Sequence, residues 1–294
     1  MNTHQNDQKN NASITLLDWF GFSITSTVVF LGLFGPSIVP YDPTSVTNSV
    51  SEPPPHITQW PALFWDLIVN DALSPHWFGT DASGLDVFSR TIAAIRTDLA
   101  IAFSANIISS LVGVSLGVLL GYFKNIATEI ILRLADLIQS FPVFITAMVL
   151  VALAGRTWAN IILAMTFLYT PIYIRLTRSE VLAVKRRGFV EAARVTGRTD
   201  ISIAFKHVLP NSLVPSLVQF SITIGFAILL TAGLSFVGAG VRPPTPEWGS
   251  MIATGANQLV LGDWWPSIFP GIATSLTVFG FAVCGNFIER NYDR

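Results

Sequence analysis

Charged side chains are scarce in this sequence. Asp, Glu, Lys and Arg make up 12% of its 294 residues, where a soluble domain carries roughly 25%. With 51% apolar residues and a mean hydropathy of +0.56, too little polar surface remains to coat a water-soluble body, and lipid is the natural solvent. Cysteine is nearly absent: Cys284 alone, inside an apolar segment, excludes a disulfide framework within the chain. His4, His56, His76 and His207 lie far apart, and no His-Glu-x-x-His occurs, so no metal site is expected. The phosphate-cradling pattern Gly-x-x-x-x-Gly-Lys-Ser/Thr is missing, so the chain by itself should hydrolyse no ATP and carry no cofactor. A net charge of −1 offers no basic excess for nucleic acid. The first fifteen residues are polar and Asn/Gln-rich, with no small-residue cleavage site, and read as a tail rather than a signal peptide.

What the chain does have is apolar length. A helix needs about 20 mostly apolar residues to cross the hydrocarbon layer. Six stretches qualify, at about 17–39, 99–122, 134–154, 158–174, 213–237 and 266–288. The expected fold is therefore an all-α integral membrane protein with six transmembrane helices. The fourth stretch is the shortest and carries Pro171 near its end. In the second span Gly113, Ser115, Gly117 and Gly121 provide small residues for close helix packing.

Lys and Arg placement orients the spans. With a cytoplasmic N-terminus, the inner segments hold thirteen of the 17: Lys9, Lys124, Arg133, Arg175, Arg178, Lys185, Arg186, Arg187, Arg194, Arg198, Lys206, Arg290 and Arg294. The outer segments hold Arg90, Arg96, Arg156 and Arg242. Both termini are thus expected in the cytoplasm. Trp158, Trp248, Trp264 and Trp265 fall near the outer boundary, where amphipathic rings prefer to sit; packing between helices is the alternative. The organisation is then a cytoplasmic tail 1–16, a first span 17–39, an extracytoplasmic loop 40–97, a five-helix core 98–288 and a cytoplasmic tail 289–294. The outer loop is acidic (Asp42, Glu52, Asp66, Asp71, Asp81, Asp86), and Glu52-Pro53-Pro54-Pro55 favours an extended spacer. Arg133 and Asp136, at the inner edge of the third span, are expected to pair, so they mark no ion relay.

The inner loop 179–211 reads SEVLAVKRRGFVEAARVTGRTDISIAFKHVLPN. Phe189, Ala192, Ala193 and Thr196 share one face of a short helix, which Gly197 is placed to stop. Asp200 stands where an N-cap is expected, and Ile201, Ala204, Phe205 and Val208 form a second apolar stripe before Pro210. Physically this is a compact helix–turn–helix on the cytoplasmic face; an amphipathic linker lying on anionic lipid fits the same composition.

The spacing Glu191-Ala192-Ala193-x-x-x-Gly197, then nine residues, then His207-x-Leu209-Pro210, resembles the EAA signature of permease subunits of bacterial ABC importers. Ile is usual where this chain has His207, and the His-x-Leu-Pro-Asn form resembles the peptide-transporting branch. Residues 77–90, WFGTDASGLDVFSR, are similar to an element preceding the second span in dipeptide, oligopeptide and nickel permeases, with Leu85 where Arg is usual. In physical terms Asp81 or Ser83 would cap the helix there, Gly79 and Gly84 permit tight turns, and Asp86 can pair with Arg90. Residues 243–251, PPTPEWGSM, resemble a third element of the same branch; three prolines demand a rigid excursion on the outer side.

The resemblance spans about residues 77–285 and implies the core of a type I ABC importer permease. It implies a coupling helix seated in a cytoplasmic ATPase, with Glu191, Ala192, Ala193, Gly197, His207, Leu209 and Pro210 forming the coupling element. Its functional reading gives extracytoplasmic docking or gating to Gly79, Thr80, Asp81, Gly84, Asp86, Arg90, Pro246, Glu247, Trp248 and Gly249; a capped interfacial helix and a loop of purely structural use are the alternative. Implied partners are a second, non-identical permease, two ATPase subunits that use ATP and Mg, an external solute-binding protein and membrane lipid of the bacterial inner membrane. Peptides are the implied cargo, with nickel chelates, opines and oligosaccharides carried in the same branch. Two other classes compete: a self-contained secondary transporter, for which intramembrane ionisable groups are few, and a membrane enzyme, for which no catalytic cluster exists.

Overall fold

A computed structural model describes residues 14–69 and 75–292. Expectations for residues 1–13 (His4 and Lys9 among them), Asp71 and residues 293–294 (with Arg294) lie outside the described residues. Every element within the described residues is helical, apart from one isolated bridge between Thr80 and Asp86. In chain order the α-helices are α1 (Leu16–Ile38), α2 (Trp60–Val69), α3 (Val87–Tyr122), α4 (Ile126–Gln139), α5 (Val143–Ala154), α6 (Trp158–Val184), α7 (Gly188–Val195), α8 (Asp200–Ile203), α9 (Val214–Phe236), α10 (Trp248–Ala256) and α11 (Trp265–Tyr292).

Five of these helices, α1, α3, α6, α9 and α11, are long and apolar enough to cross a membrane. The expected third span is not one straight helix. It is the pair α4 and α5, bent by 94° at Ser140-Phe141-Pro142, and it makes a sixth crossing only if the bent pair counts as one. Pro142 explains the break: its ring excludes the helical hydrogen bond, and the residue before it avoids helical dihedrals.

Two other spans run longer than their apolar cores. α3 begins twelve residues before the expected start, because the Asp86 carboxylate caps it by accepting from Ser89 N at 2.7 Å. Asp86 thereby displaces Asp81 and Ser83 from the capping role, and it pairs with His76 (2.7 Å) rather than with Arg90. α6 passes through Pro171 and continues to Val184, ten residues beyond the expected end. Asp136 reaches Arg175 on α6 at 3.7 Å instead of Arg133, tying α4 to its neighbour.

α3 is the axis of the bundle. It packs along α6 over its length and also touches α1, α9 and α11. The α3–α6 seam is built on Gly113, Gly117 and Gly121, spaced one helical repeat apart. A methyl at Gly113 would stand 2.5 Å from Tyr173 Cβ, and one at Gly117 would stand 2.7 Å from Thr177 Cβ. Ser115 points out of the seam and is exposed. Polar side chains pin the same seam: Tyr173 donates to Asn106 Oδ1 (2.5 Å), and Asn106 Nδ2 donates to the Phe220 carbonyl of α9 (2.7 Å). α1 is clipped to α11 where the buried Asp18, which completes a capping box with Thr15, meets Arg290. Trp158 and Trp264 are exposed, as interfacial rings would be, whereas Trp248 and Trp265 are buried and serve packing.

Candidate functional site

Between α6 and α9 the chain doubles back through α7 and α8. Val190, Ile203, Ala204 and Val208 close against Val118 and Tyr122 of α3 and Val181 and Val184 of α6, forming a small core separate from the main one. The loop is therefore a folded element seated on the ends of two long helices. Of the face read as apolar in sequence, Ala193 packs partly against that seat and the rest points away from it. Phe189 is 38% exposed, Ala192 and Thr196 are exposed, and Ala193 is half-buried. Beside them Val195 is 85% and Ile201 63% exposed. Ile201 thus leaves the expected second stripe, and Ile203 takes its place in the core. Glu191 is exposed on the same element, 3.6 Å from Arg194.

Gly197 ends α7 with φ +76°, the left-handed turn expected of it, and nothing lies near the place a Cβ would occupy. Thr199, not Asp200, caps α8, its hydroxyl accepting from Ser202 N at 3.4 Å. Asp200 is diverted to the Tyr122 hydroxyl, which donates to it at 2.7 Å. Arg194 lies 3.4 Å from the same hydroxyl and 3.9 Å from Asp200. The Tyr122 hydrogen bond and nearby acidic groups hold the Arg194 guanidinium above its ordinary pKa. Lys185, just past α6, donates to the Tyr122 carbonyl and lies 4.7 Å over its ring. Burial, aided by Lys124 and Arg194, holds the Lys185 ammonium below its usual pKa. Tyr122 is thus the post to which α7, α8 and the end of α6 are tied, a role its sequence context did not signal.

His207, Leu209 and Pro210 lie where the loop rejoins the bundle. A π-helical turn at Ala204–Val208 passes into a 3₁₀ turn at Leu209–Asn211, and Ser212 Oγ donates to the Val208 carbonyl at 2.6 Å. Pro210 has no N–H to extend an α-helical ladder here, which suits the change of winding.

The motifs at 77–90 and 243–251 form a second assembly, remote from the first. Thr80 N donates to the Glu52 carbonyl and Glu52 N to Thr80 Oγ1, both at 2.9 Å, while Trp265 Nε1 donates to the Thr80 carbonyl at 2.9 Å. Gly79 has φ +73°, and a Cβ there would meet the Glu52 carbonyl at 2.3 Å. Asp81 Oδ1 accepts from the backbone N–H of Ser83 and Leu85. Arg90 donates to the carbonyls of Pro43 (2.8 Å) and Pro244 (3.3 Å), joining the segment after α1 to the segment before α10. Glu247 caps α10, accepting from Gly249 N and Ser250 N at 2.8 Å each. A Cβ on Gly249 would lie 2.2 Å from the Ala232 carbonyl of α9. Gly79, Thr80, Gly84, Asp86, Arg90, Glu247, Trp248 and Gly249 are all buried, Asp81 and Pro246 half-buried, and Ala82, Ser83, Pro243 and Pro244 exposed.

Comparison with known proteins gives this two-ended arrangement a context. Residues 113–294 match the family described as binding-protein-dependent transport system inner membrane component. The chain belongs to that family. A glutathione transport system permease protein of Pectobacterium atrosepticum is 36% identical over 229 residues, 78% of this chain and 76% of that protein. A di/tripeptide transport system permease protein of Pseudomonas aeruginosa is 35% identical over 266 residues, 90% of this chain and 84% of that protein. A probable D,D-dipeptide transport system permease protein of Escherichia coli is 34% identical over 276 residues, 92% and 87% of the two chains. Membership makes this chain an integral membrane permease subunit of an ABC importer, a transport component rather than an enzyme, working with ATPase and binding-protein partners.

Proposed function

We propose that this permease carries di- or oligopeptides across the bacterial inner membrane, with the α7–α8 element as its coupling piece. The observation that carries the reading is the uncovered apolar set Phe189, Ala192, Val195 and Ile201 on a helix pair that is seated on α3 and α6 through Val190 and Ile203. An apolar patch held rigidly at one end of a membrane bundle suits a protein partner, here a cytoplasmic ATPase. Glu191 supplies a charge beside the patch, and Gly197 gives the turn that sets the angle between the two helices. Movement of the ATPase pair would press on this element, and the seat on Tyr122 and Lys185 would pass the movement into α3 and α6. His207, Leu209 and Pro210 form the rejoining hinge.

At the other end, the buried Gly79, Thr80, Gly84, Asp86 and Arg90, with Pro246, Glu247, Trp248 and Gly249, build a platform rather than a contact surface. Ala82 and Ser83, with Pro243 and Pro244, form the rim offered to an external binding protein. In this reading both termini are cytoplasmic, the second permease is a non-identical subunit, and two ATPases bind ATP and Mg. Peptide cargo is supported by relatives whose names specify glutathione, di/tripeptides and D,D-dipeptides.

The test is co-purification of the tagged chain from its own cells in mild detergent, with ATPase activity assayed. A second permease and P-loop ATPases should be recovered with the native chain. They should be lost with Glu191 and Gly197 replaced while the variant still reaches the membrane. Full ATPase recovery with Gly197→Asp, together with intact ATP-driven peptide uptake, would overturn the coupling role.

A further inference from the structure

Beside the start of α11 lies a cleft that the importer reading does not use. Its volume is about 460 Å³, within the range of small-molecule sites. Residues 53–57 and Trp60 make one wall, and Trp264, Trp265 and Phe269 make the other. Both walls are held from behind. Trp60 Nε1 donates to the Pro55 carbonyl at 3.2 Å, and its ring meets Trp77 edge to face with centres 5.8 Å apart. Trp265 Nε1 donates to the Thr80 carbonyl, and Phe269 stacks on Phe78 with ring centres 3.9 Å apart. Trp264 differs from its neighbours. It is 47% exposed, and its indole N–H has no acceptor among the described residues.

Two observations say what fills the cleft. The first is continuity. From Trp264 the exposed residues Ile268, Ile272, Leu276 and Phe279 follow at helical spacing, forming one apolar stripe along the membrane-spanning α11. Exposed apolar side chains on a crossing helix face lipid, so Trp264 belongs both to the lipid-facing stripe and to the cleft. The second observation is charge. No Lys or Arg lines the cleft, His56 is the one titratable residue in its lining, and the residues that flank its walls in the chain are the acids Glu52 and Asp263. Anionic headgroups are recognised by clusters of Lys and Arg. An ammonium group instead gains from aromatic rings and from nearby carboxylates.

We propose that this cleft binds one phospholipid with an ammonium headgroup. Its acyl chains run along the α11 stripe, its ammonium group lies among the indole rings, and Trp264 Nε1 donates to a phosphate oxygen. The bound lipid fastens residues 53–60 to the start of α11, next to the place where Glu52 and Thr80 exchange hydrogen bonds. The inference rests on the chain crossing a membrane and on nothing about its cargo or its ATPase partners.

The experiment is native mass spectrometry of the full chain, delipidated in detergent and titrated with phosphatidylethanolamine or with phosphatidylglycerol of the same acyl chains. The native chain should retain one phosphatidylethanolamine about threefold more tightly than phosphatidylglycerol, the size of one exposed cation–π contact. Trp264→Ala should abolish that preference. Trp264→Phe keeps a ring and loses the N–H, and should weaken retention about threefold. Trp158→Ala removes another exposed ring that lies outside the cleft, and should change neither value. If Trp264→Ala fails to fold, Ile57→Ser alters the exposed opposite wall and should reduce the same preference. Equal retention of the two lipids by the native chain, or tighter retention of phosphatidylglycerol, would overturn the proposal. So would a preference that survives both Trp264→Ala and Ile57→Ser. Unchanged lipid retention by Trp264→Ala, combined with loss of a co-purifying permease or binding protein, would also overturn it and give the cleft to a protein partner.

Discussion

Replacing Gly117 with Ala puts one methyl group into the α3–α6 seam, 2.7 Å from Thr177 Cβ and 2.9 Å from the Ile174 carbonyl. Carbon atoms in ordinary contact lie about 3.5–4.0 Å apart, so the helices must separate by about 1 Å or one must rotate. Overpacking of this kind costs about 1–3 kcal/mol. The intrinsic gain of Ala over Gly in a helix interior, about 1 kcal/mol, acts in the opposite direction. Gly271 in α11 isolates the two contributions, since nothing lies within 4 Å of its Cβ position. Gly271→Ala should therefore show the gain alone. The gap between the two variants should be about 1–3 kcal/mol, a factor of about 5 to 150 in the folding equilibrium. Reversible unfolding in mixed micelles, followed by tryptophan fluorescence, measures both. Equal stabilities for Gly117→Ala and Gly271→Ala would refute the claim that close approach at this seam holds the bundle together.

Three further outcomes are expected. Tyr122→Phe removes the bonds to Asp200 and Arg194 while leaving the ring, so amide exchange in α7 and α8 should quicken about tenfold, equivalent to about 1.4 kcal/mol; unchanged exchange would remove Tyr122 from its role as anchor. Because Lys185 is held below its usual pKa, the folded chain binds fewer protons there than the unfolded chain in the alkaline range. Stability of the native chain should then rise with pH through that range relative to Lys185→Met, and parallel curves would contradict it. Arg90→Met leaves the Pro43 and Pro244 carbonyls without their donor, at a cost of about 1–3 kcal/mol, and should make residues 40–50 of the detergent-solubilised chain more susceptible to protease.

Span positions could be read from the sequence because apolar length is a strong signal, and α1, α9 and α11 begin and end within a few residues of expectation. The misjudged boundaries share a cause. Arg90, Arg96 and Asp98 dilute the apolar character of the first part of α3, and Arg175 and Arg178 do the same for the last part of α6, yet both segments remain helical because capping and packing decide the matter. The bend at Pro142 was hidden for the opposite reason: apolar residues flank it on both sides, and hydropathy does not register direction. In the inner loop the glycine turn was legible and the burial was not. Periodicity says that Phe189, Ala192 and Thr196 share a face, but only the packing of Val190 shows that this face is left uncovered. Thr80 and Trp265, which meet through a hydrogen bond, are 185 residues apart in sequence, and no local pattern joins them.

α3 has 36 residues and so is about 54 Å long, against about 30 Å of hydrocarbon. Its first turn is held by the strap that Arg90 and Thr80 fasten, and its last residue is the anchor of the inner loop. The glycines along it, at positions 113, 117 and 121, are packed against α6 and leave no slack for a hinge there. A body of that shape responds to a push at one end by tilting. A tilt of only about 10° displaces one tip relative to the other by roughly 9 Å over that length. Contact near residues 82–83 and contact at the α7–α8 loop would then be two readings of one angle.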